Sequence, residues 1–410
     1  MALVVQKFGG SSVADPERLK KAARRAVAEF ESGNSVAVVV SAMGDGTDEL
    51  IETARKLHSE PDPREMDMLM AVGEQMSIAL MAIAIHSLGF EAVSLTGAQA
   101  GIHTDSVSSK AKIRQIDTAR LTRELERGRI VIVAGFQGVD AEDNITTLGR
   151  GGSDTTAIAL AAALKADRCD IFTDVDGIYT TDPRLVPEAR LIERIDYDEM
   201  LELASLGARV MQSRSVEIAK RFSVPFRVRP SGNDSEGTLV TDTQEMEQVD
   251  VRGAALDENE AKVTIRDVPD TPGAAARIFG AIARQHVNVD IIVQNVSAQG
   301  MTDLSFTVQQ SDLKAARKAV DEVMSSMGCG RVEIDENIAK MSIVGVGMKN
   351  HTGVAETMFR ALADSGVNIG MISTSEIRIS VVIESSQGRR ALNAVHEAFG
   401  LGNETGPACS

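Results

Sequence analysis

Two stretches in the last third of the chain carry one pattern, and that repetition constrains the fold more than any other feature of the sequence. Lys262-Val263-Thr264-Ile265 is echoed by Lys340-Met341-Ser342-Ile343. Gly273, Phe279, Asn288, Val289 and Ile292 recur eighty positions later as Gly353, Phe359, Asn368, Ile369 and Ile372. Each copy reads as a strand, a glycine turn, a helix, and a strand opening on Val-Asn-Val or Val-Asn-Ile. Further strands are expected at Leu304–Val308 and Glu376–Ile383, and helices at Lys314–Met324 and Arg389–Phe399. With a short closing strand each copy becomes βαββαβ. A solenoid needs three or more repeats, so two are expected to pack on each other as duplicated modules.

The first half has a different texture. Leu3–Gln6, Val36–Val40, Ile130–Ala134 and Asp170–Thr173 are short apolar runs separated by amphipathic stretches. Fully apolar strands alternating with helices predict a mostly parallel sheet covered on both faces. Asp15-Pro16 predicts a helix start, with Asp as the cap and Pro at the first helical position. The turn cluster Pro230-Ser231-Gly232-Asn233-Asp234 and the polar, acidic 241–250 stretch mark a change of domain. The boundaries read as 1–240, a linker and lead-in over 241–260, and modules at 261–335 and 336–410.

Charge and cysteine usage narrow the function. The net charge is −16, from 43 basic and 59 acidic residues. Such a surface repels nucleic acid and anionic membranes, so an anionic ligand needs a local site of N–H groups and a few cations. Cys169, Cys329 and Cys409 have no paired spacing and read as free thiols in a reducing compartment. No apolar run approaches the length that spans a bilayer, and the N-terminus lacks signal-peptide character. These readings place the chain in the cytoplasm, without nucleic-acid or membrane partners.

Four segments carry chemistry. Lys7-Phe8-Gly9-Gly10-Ser11-Ser12 lies between a strand and a capped helix, where glycines admit a phosphate close to the backbone and Lys7 adds a point charge. It is not a P-loop, since no Gly-Lys-Ser/Thr follows. Leu148-Gly149-Arg150-Gly151-Gly152-Ser153-Asp154-Thr155 combines an anion nest with an Arg that can grip a carboxylate through two bonds. Asp154 is a cap or a partner for an amino group. Thr173-Asp174-Val175-Asp176-Gly177-Ile178-Tyr179-Thr180-Thr181-Asp182-Pro183-Arg184 follows a strand, where open α/β sheets place ligands; it lacks the rest of a calcium loop. Ser41-Ala42-Met43-Gly44-Asp45-Gly46-Thr47 follows another strand, and Gly73-Glu74 falls in a long apolar helix. No Ser-His-Asp set, cysteine nucleophile or metal cluster is visible, and the six His read as structural or surface residues. Phosphate cradles with one carboxylate grip suit phosphoryl transfer, where positioning and charge neutralisation supply most of the catalysis.

In order and context these motifs resemble those of aspartate kinases, and the repeat resembles their paired ACT regulatory domains. The carrying segments are Lys7–Ser12, Gly73-Glu74, Gly149–Asp154 and Thr173–Gly177, with Gln294-Asn295-Val296 and Ile372–Glu376 in the repeat. The resemblance covers essentially the whole chain. It implies an amino-acid-kinase fold, a mostly parallel sheet between helices, followed by two βαββαβ ACT domains. It implies ATP-dependent phosphorylation of the L-aspartate side chain, the first step to lysine, threonine and methionine.

By motif, Lys7 and Asp154 would be catalytic, and Ser41, Thr47, Glu74, Arg150, Gly151, Gly152 and Ser153 would seat aspartate. Lys7, Gly9, Gly10, Ser11, Thr173, Asp174, Tyr179, Asp182, Arg184 and Arg209 would face ATP, with Mg2+ carried by the nucleotide. Arg209 stands where many members have Lys. Feedback by lysine and/or threonine would act at Asp270, Pro272, Gly273, Ala274, Ala275, Asn288, Val289, Asp290 and Gln294. The second copy offers Gly353, Val354, Asn368, Ile369, Thr374, Ser375 and Glu376. A homo-oligomer is implied, and Met246 is a possible internal start for a separate regulatory subunit. Another amino-acid-family kinase, acting on carbamate, glutamate or a nucleotide, and a non-catalytic sensor are the competing readings. Arg150, Glu74 and the tandem repeat speak against the first; intact Lys7 and Asp154 speak against the second.

Overall fold

Runs of Val, Ile and Ala that hide both faces of a strand become the central layer of the first of two units. The computed structural model describes residues 2–206, 210–242, 250–296, 300–328, 330–346, 348 and 353–402. Arg209, Met246, His351, Cys329 and Cys409 lie outside them. The first unit comprises Met1–Tyr179 with Leu191–Met246, and the second Thr180–Arg190 with Glu247–Ser410.

In chain order the first unit opens with β1 (Leu3–Phe8), α1 (Pro16–Glu31), β2 (Ser35–Val40), α2 (Gly46–Leu57), α3 (Pro63–Ser87) and β3 (Ala92–Leu95). It continues through β4 (Ile102–Thr104), β5 (Ile113–Ile116), α4 (Ala119–Glu126), β6 (Ile130–Ala134), β7 (Gln137–Val139) and β8 (Ile145–Thr147). Then come α5 (Gly152–Leu164), β9 (Arg168–Thr173), β10 (Arg194–Ile195), α6 (Tyr197–Ser205), α7 (Ser213–Phe222), β11 (Phe226–Pro230) and β12 (Thr238–Val240).

The main sheet has the order β10-β12-β11-β9-β1-β2-β6-β3. Its strands are parallel except β10 and β12, which run together against the rest. Phe8, Val36, Val38, Val40, Ile130 and Ile132 turn one face towards α1 and α3. The opposite face is covered by α5, buried from Gly152 to Ala161. Alternation along β1 therefore sends Phe8 to the α1 side, stacked on Phe172 at 4.9 Å, and Lys7 to the α5 side. Parallel strands also bring the C-terminal ends of β1, β2, β6 and β9 to one edge, where α/β sheets bind ligands.

Helix α1 starts as expected, Asp15 accepting from Arg18 N at 2.9 Å. Helix α3 is 25 residues long, and its best 18-residue window has a mean hydropathy of 1.8, enough by length and composition to cross a membrane. The sequence reading found no such run. Half of that window is buried among Ile78, Met81, Ala82 and Ile85 against the sheet, as in a core helix.

The second unit contains β13 (Asp250–Asp257), β14 (Glu260–Pro269), α8 (Ala274–Arg284), β15 (Ile292–Val296), β16 (Met301–Gln309), α9 (Leu313–Met327) and β17 (Arg331–Asp335). The second copy follows as β18 (Ile338–Val346), α10 (Val354–Asp364), β19 (Met371–Thr374), β20 (Arg378–Glu384) and α11 (Gly388–Ala398). The sheets are β15-β16-β14-β17 and β19-β20-β18-β13. The repeat survives in fine detail: Thr264 and Ser305 hydroxyls meet at 3.0 Å across one sheet, and Ser342 and Ser380 at 2.7 Å across the other.

Two expectations need correction. Asp250–Asp257, read as part of a linker, is a strand that pairs with β18 and fills in the second sheet the place β17 fills in the first. The strands read from Val287 and Val367 begin only at Ile292 and Met371. Val287 and Val367 instead bury in the cores, so their apolarity reports packing and not pairing.

The chain from Thr180 to Arg190 belongs to the second unit. Val186 joins its core, Ala254 N donates to Thr180 O at 2.7 Å, and the Thr180 hydroxyl donates to Leu401 O at 2.9 Å. His396 Nε2 lies 3.0 Å from the same hydroxyl, and burial lowers the imidazole pKa.

Candidate active site

The Gly9-Gly10 turn leaves the end of β1 and is clasped from two sides. Gly9 N donates to Phe172 O at 3.2 Å, and Gly44 N donates to Gly10 O at 3.1 Å. A Cβ on Gly10 would sit 2.9 Å from Ala42 O and 3.0 Å from Gly44 O, so only glycine allows this approach. A 3-10 turn, Gly10–Val13, then leads into α1, and Arg18 Nη1 donates to Ser11 O at 2.8 Å.

Lys7 and Asp154 meet at the centre. Lys7 is 8% exposed, and its Nζ lies 2.6 Å from Asp154 Oδ1. Asp154 stands in the first turn of α5, whose preceding Gly151 has φ 65°. That left-handed turn aims the positive N-terminal end of a 13-residue helix at the same edge, adding positive potential there. The loop ahead of it is anchored from α3: Asp67, fully buried, accepts from Thr147 N at 3.1 Å, Thr147 Oγ1 at 2.6 Å and Ser109 N at 3.0 Å.

Glu74 comes from the middle of α3. Gly73 lets the helix approach β2's loop, since a Cβ there would meet Ala42 Cβ at 2.8 Å. Glu74 is 3% exposed; Oε1 accepts from Ala42 N at 3.1 Å, and buried Oε2 has no hydrogen-bond partner. Burial pushes its pKa up to about 7, against the Ala42 bond that lowers it.

These groups surround a cavity of about 210 Å³ lined by Lys7, Gly10, Ser41, Ala42, Gly44, Thr47, Glu74, Phe136, Gly151, Gly152, Ser153 and Asp154. That is smaller than the roughly 300–1,000 Å³ that drug-sized ligands occupy. Of the residues expected to seat a substrate, Arg150 alone is not among its walls; it is exposed, next to Gly151. Sequence reasoning passed over Phe136, although it lies just beyond β6 on the ligand-binding edge. Phe136 has φ 67°, held by N–H donation to Thr156 Oγ1 at 3.1 Å. A non-glycine residue in that region stores strain of about 1–3 kcal/mol, as functional loops often do.

A second cavity, about 320 Å³, lies on the α1 side of the same turn and is walled by Ser11, Ser12, Arg18, Lys21, Thr173, Asp174, Asp176 and Asn233 among others. Three residues expected to face a nucleotide, Ser11, Thr173 and Asp174, belong to it. Arg18 and Lys21 were missed; only their spacing of three on α1 would have put both on one side. Tyr179 donates to Asp176 Oδ2 at 3.3 Å. Asp182 and Arg184 fall in the second unit and pair with each other, Nη2 to Oδ2 at 2.6 Å. Arg184 N–H bonds hold the Asp182 pKa down.

In the second unit, Gly273 (φ 94°) and Gly353 (φ 112°) precede α8 and α10 in matching left-handed turns. Ala274 and Val354 are buried beneath them and Ala275 packs on the core. Asp270, Pro272, Asn288 and Gln294 are exposed, as are Asn368, Thr374, Ser375 and Glu376, while Val289 and Ile369 are partly buried. Asp290 already has cationic partners: buried Lys340 bonds both Glu260, at 2.8 Å, and Asp290, and Arg378 lies 3.7 Å from it. Burial works to lower the Lys340 pKa, but the two carboxylates together raise it.

Residues 2–230 match the amino acid kinase family, and 266–324 and 341–399 each match the ACT domain. An aspartate kinase of Stutzerimonas stutzeri is 52% identical over 403 residues, 98% of each chain. An aspartokinase of Mycolicibacterium smegmatis is 50% identical over 410 residues, 98% of this chain and 97% of its own. Among solved structures, E. coli aspartokinase III with aspartate and ADP (R-state) superposes with a TM-score of 0.82 at 26% identity, over 97% of this chain and 99% of that one. The same enzyme with lysine and aspartate (T-state) gives 0.74 at 26% identity, over the same shares.

Proposed function

We propose, for a chain that belongs to the aspartate kinase family, that it transfers the γ-phosphoryl group of ATP to the side-chain carboxylate of L-aspartate, giving 4-phospho-L-aspartate and ADP. The observation that carries this is one cavity holding Lys7 paired with Asp154 at a helix N-terminus and, facing them, a buried Glu74 oxygen without a partner. The first group suits an anion in transfer, the second an ammonium.

The nucleophile in this reaction is already an anion. As the carboxylate oxygen bonds to phosphorus, the bond from phosphorus to the ADP oxygen breaks, and no proton moves. A general base is unnecessary, in keeping with a cavity whose walls include no His. What remains is repulsion between two anions, which Lys7 and the N–H groups of Gly10 and Gly151 offset. Asp154 fixes where the Lys7 ammonium points. Glu74 accepts the substrate ammonium, Ser41, Thr47 and Ser153 hydrogen-bond its polar groups, and Arg150 closes on its α-carboxylate. Gly9, Ser11, Thr173, Asp174 and Tyr179 serve the nucleotide. Mg2+, carried on the phosphates, would spread the charge of the transferring group.

The two ACT copies bind lysine and/or threonine at the turns before α8 and α10 and lower the rate. Support comes from the matching left-handed glycines ahead of two helix N-termini, which favour an α-carboxylate, and from the lysine-bound relative. Asp270 meets the effector ammonium, whereas Asp290 acts through its pair with Lys340. The enzyme works in the cytoplasm as a homo-oligomer, in the pathway to lysine, threonine and methionine.

The test is acyl phosphate trapping with hydroxylamine from purified protein, Mg-ATP and L-aspartate, with lysine, threonine, both or neither. Aspartate-dependent hydroxamate that falls with an effector supports both halves of the reading. ADP release without hydroxamate would refute the carboxyl acceptor, and turnover indifferent to either amino acid would refute the feedback.

A further inference from the structure

Asp67 is a carboxylate with no exposed surface, and among the described residues no cation bonds it. Burying a charge without an opposite one is costly unless hydrogen bonds replace its water. Its bonds all come from two short segments: Thr147 N and Oγ1 at the end of β8, and Ser109 N and Oγ between β4 and β5. Ser109 has φ 64°, a left-handed conformation that a serine keeps only where its surroundings hold it. Arg214, in the first turn of α7, grips the same two segments by their carbonyls. Its Nη1 donates to Leu148 O at 3.1 Å and its Nη2 to Ala111 O at 2.8 Å. A bond from Ala111 N to Thr147 O at 2.9 Å joins the segments themselves.

We infer that Asp67 and Arg214 are positioning residues for aspartate, setting where the Arg150 loop stands relative to Glu74. Arg150 follows directly on the clamped Leu148-Gly149, and among the described residues its own side chain bonds nothing. Its aim is therefore set by the backbone. The fit around that backbone is close. A Cβ on Gly149 would lie 3.0 Å from Ser109 O, and one on Gly151 2.5 Å from Gln212 Cβ, so the loop shifts only with the segments that Asp67 and Arg214 hold. Asp67 also precedes Glu74 by seven residues of α3, two turns, which puts both on one side of the helix about 10 Å apart along its axis. One rigid helix thus carries the acceptor for the substrate ammonium and the anchor of the loop that brings the guanidinium to its α-carboxylate. The inference rests on the roles proposed above for Glu74 and Arg150. With the clamp released both grips survive, but not at the spacing of one α-amino acid, so aspartate binding is lost and the transfer step is kept.

Arg214→Met in the full-length chain tests this in the hydroxamate assay. Aspartate KM should rise about tenfold or more, while kcat and the KM for ATP stay within about twofold. Arg214→Lys, with a point charge in place of the fork, should fall between the two. In an Arg150→Ala background, Arg214→Met should lower kcat/KM for aspartate by no more than about a further twofold, because the guanidinium it aims is gone. Should Arg214→Met not fold, Thr147→Val keeps the side-chain shape, removes the 2.6 Å bond to Asp67 and is read in the same cycle. Losses that multiply independently of Arg150, or a fall in kcat with aspartate KM unchanged, overturn the inference and leave the kinase reading standing. A wild type that yields no aspartate hydroxamate refutes the kinase reading itself, and this inference falls with it.

Discussion

Replacing Glu74 with Gln should stabilise the ligand-free protein in a pH-dependent way while weakening aspartate binding. The Glu74 carboxyl has its pKa raised from 4.5 to about 7, chiefly by burial. A carboxyl held above its unfolded value makes the folded state bind more protons than the unfolded state between those two pH values. Stability is then fully present below pH 4.5 and is lost as pH rises through 7. Integrated, the loss is about 3 kcal/mol, of which roughly 2–3 kcal/mol falls between pH 5 and pH 8. Glu74→Gln keeps the acceptor for Ala42 N and removes the titration. Its advantage over wild type should therefore grow by that amount from pH 5 to pH 8, about 5–10 °C in melting temperature for a unit of this size. All other titrating groups are shared by the two proteins, so their difference isolates this one. Thermal melts without ligand are the assay. The same shape lets aspartate binding at pH 7 release about half a proton, seen by calorimetry in buffers of different ionisation enthalpy. A stability difference that stays flat from pH 5 to pH 8 would refute the assigned burial of an ionisable Glu74.

Other perturbations have equally direct readouts. Lys7→Met should lower kcat in the hydroxamate assay by about 10²–10³, the typical value of one transition-state charge partner, with aspartate KM changing much less. Gly10→Ala should fold yet lose most activity, because its Cβ meets two backbone carbonyls at 3.0 Å or less and must open the turn; wild-type turnover would disprove the cradle. Lys340→Met leaves Glu260 and Asp290 without their cation and should cost about 3–5 kcal/mol in denaturant melts, part of it recovered by adding Glu260→Leu.

The parallel layer was legible because burial on both faces writes itself as unbroken apolar runs: β2 and β6 are fully apolar where buried. The glycine turns were legible because close approach excludes other residues. The repeat was legible as sequence but misleading as topology. Its copies share strand, turn and helix, yet β13 comes from ahead of the first copy, and pairing at a distance leaves no local mark. Lys262 and Lys340 stand at equivalent places in the repeat; one is 27% exposed beside Asp335, the other 3% exposed between two carboxylates. That difference comes from Glu260 and Asp290 of the other copy, and no pattern within either copy encodes it. Likewise Glu74 read equally well as solvated, because sequence alone does not distinguish the inner from the outer face of an almost uniformly apolar helix.

An acidic residue in a site for two anions needs a reason, and its raised pKa provides one. An ionised Glu74 with no cation bonded to it would repel both the aspartate carboxylates and the phosphates. A proton on it through much of the range below pH 7 removes that repulsion, and burial away from water is what keeps the proton there. A substrate bearing an ammonium can replace that proton, while a dicarboxylate without one cannot. Succinate has the carboxylate to be phosphorylated but nothing to give the partnerless oxygen, so it meets either a neutral acid or an unpaired buried charge. Discrimination by a buried polar group left unpaired is larger than discrimination by shape, commonly about 10⁴-fold against about 10²-fold. Glu74→Gln should then reduce the preference for aspartate over succinate even as it makes the fold more stable, because burial of the same oxygen underlies both effects.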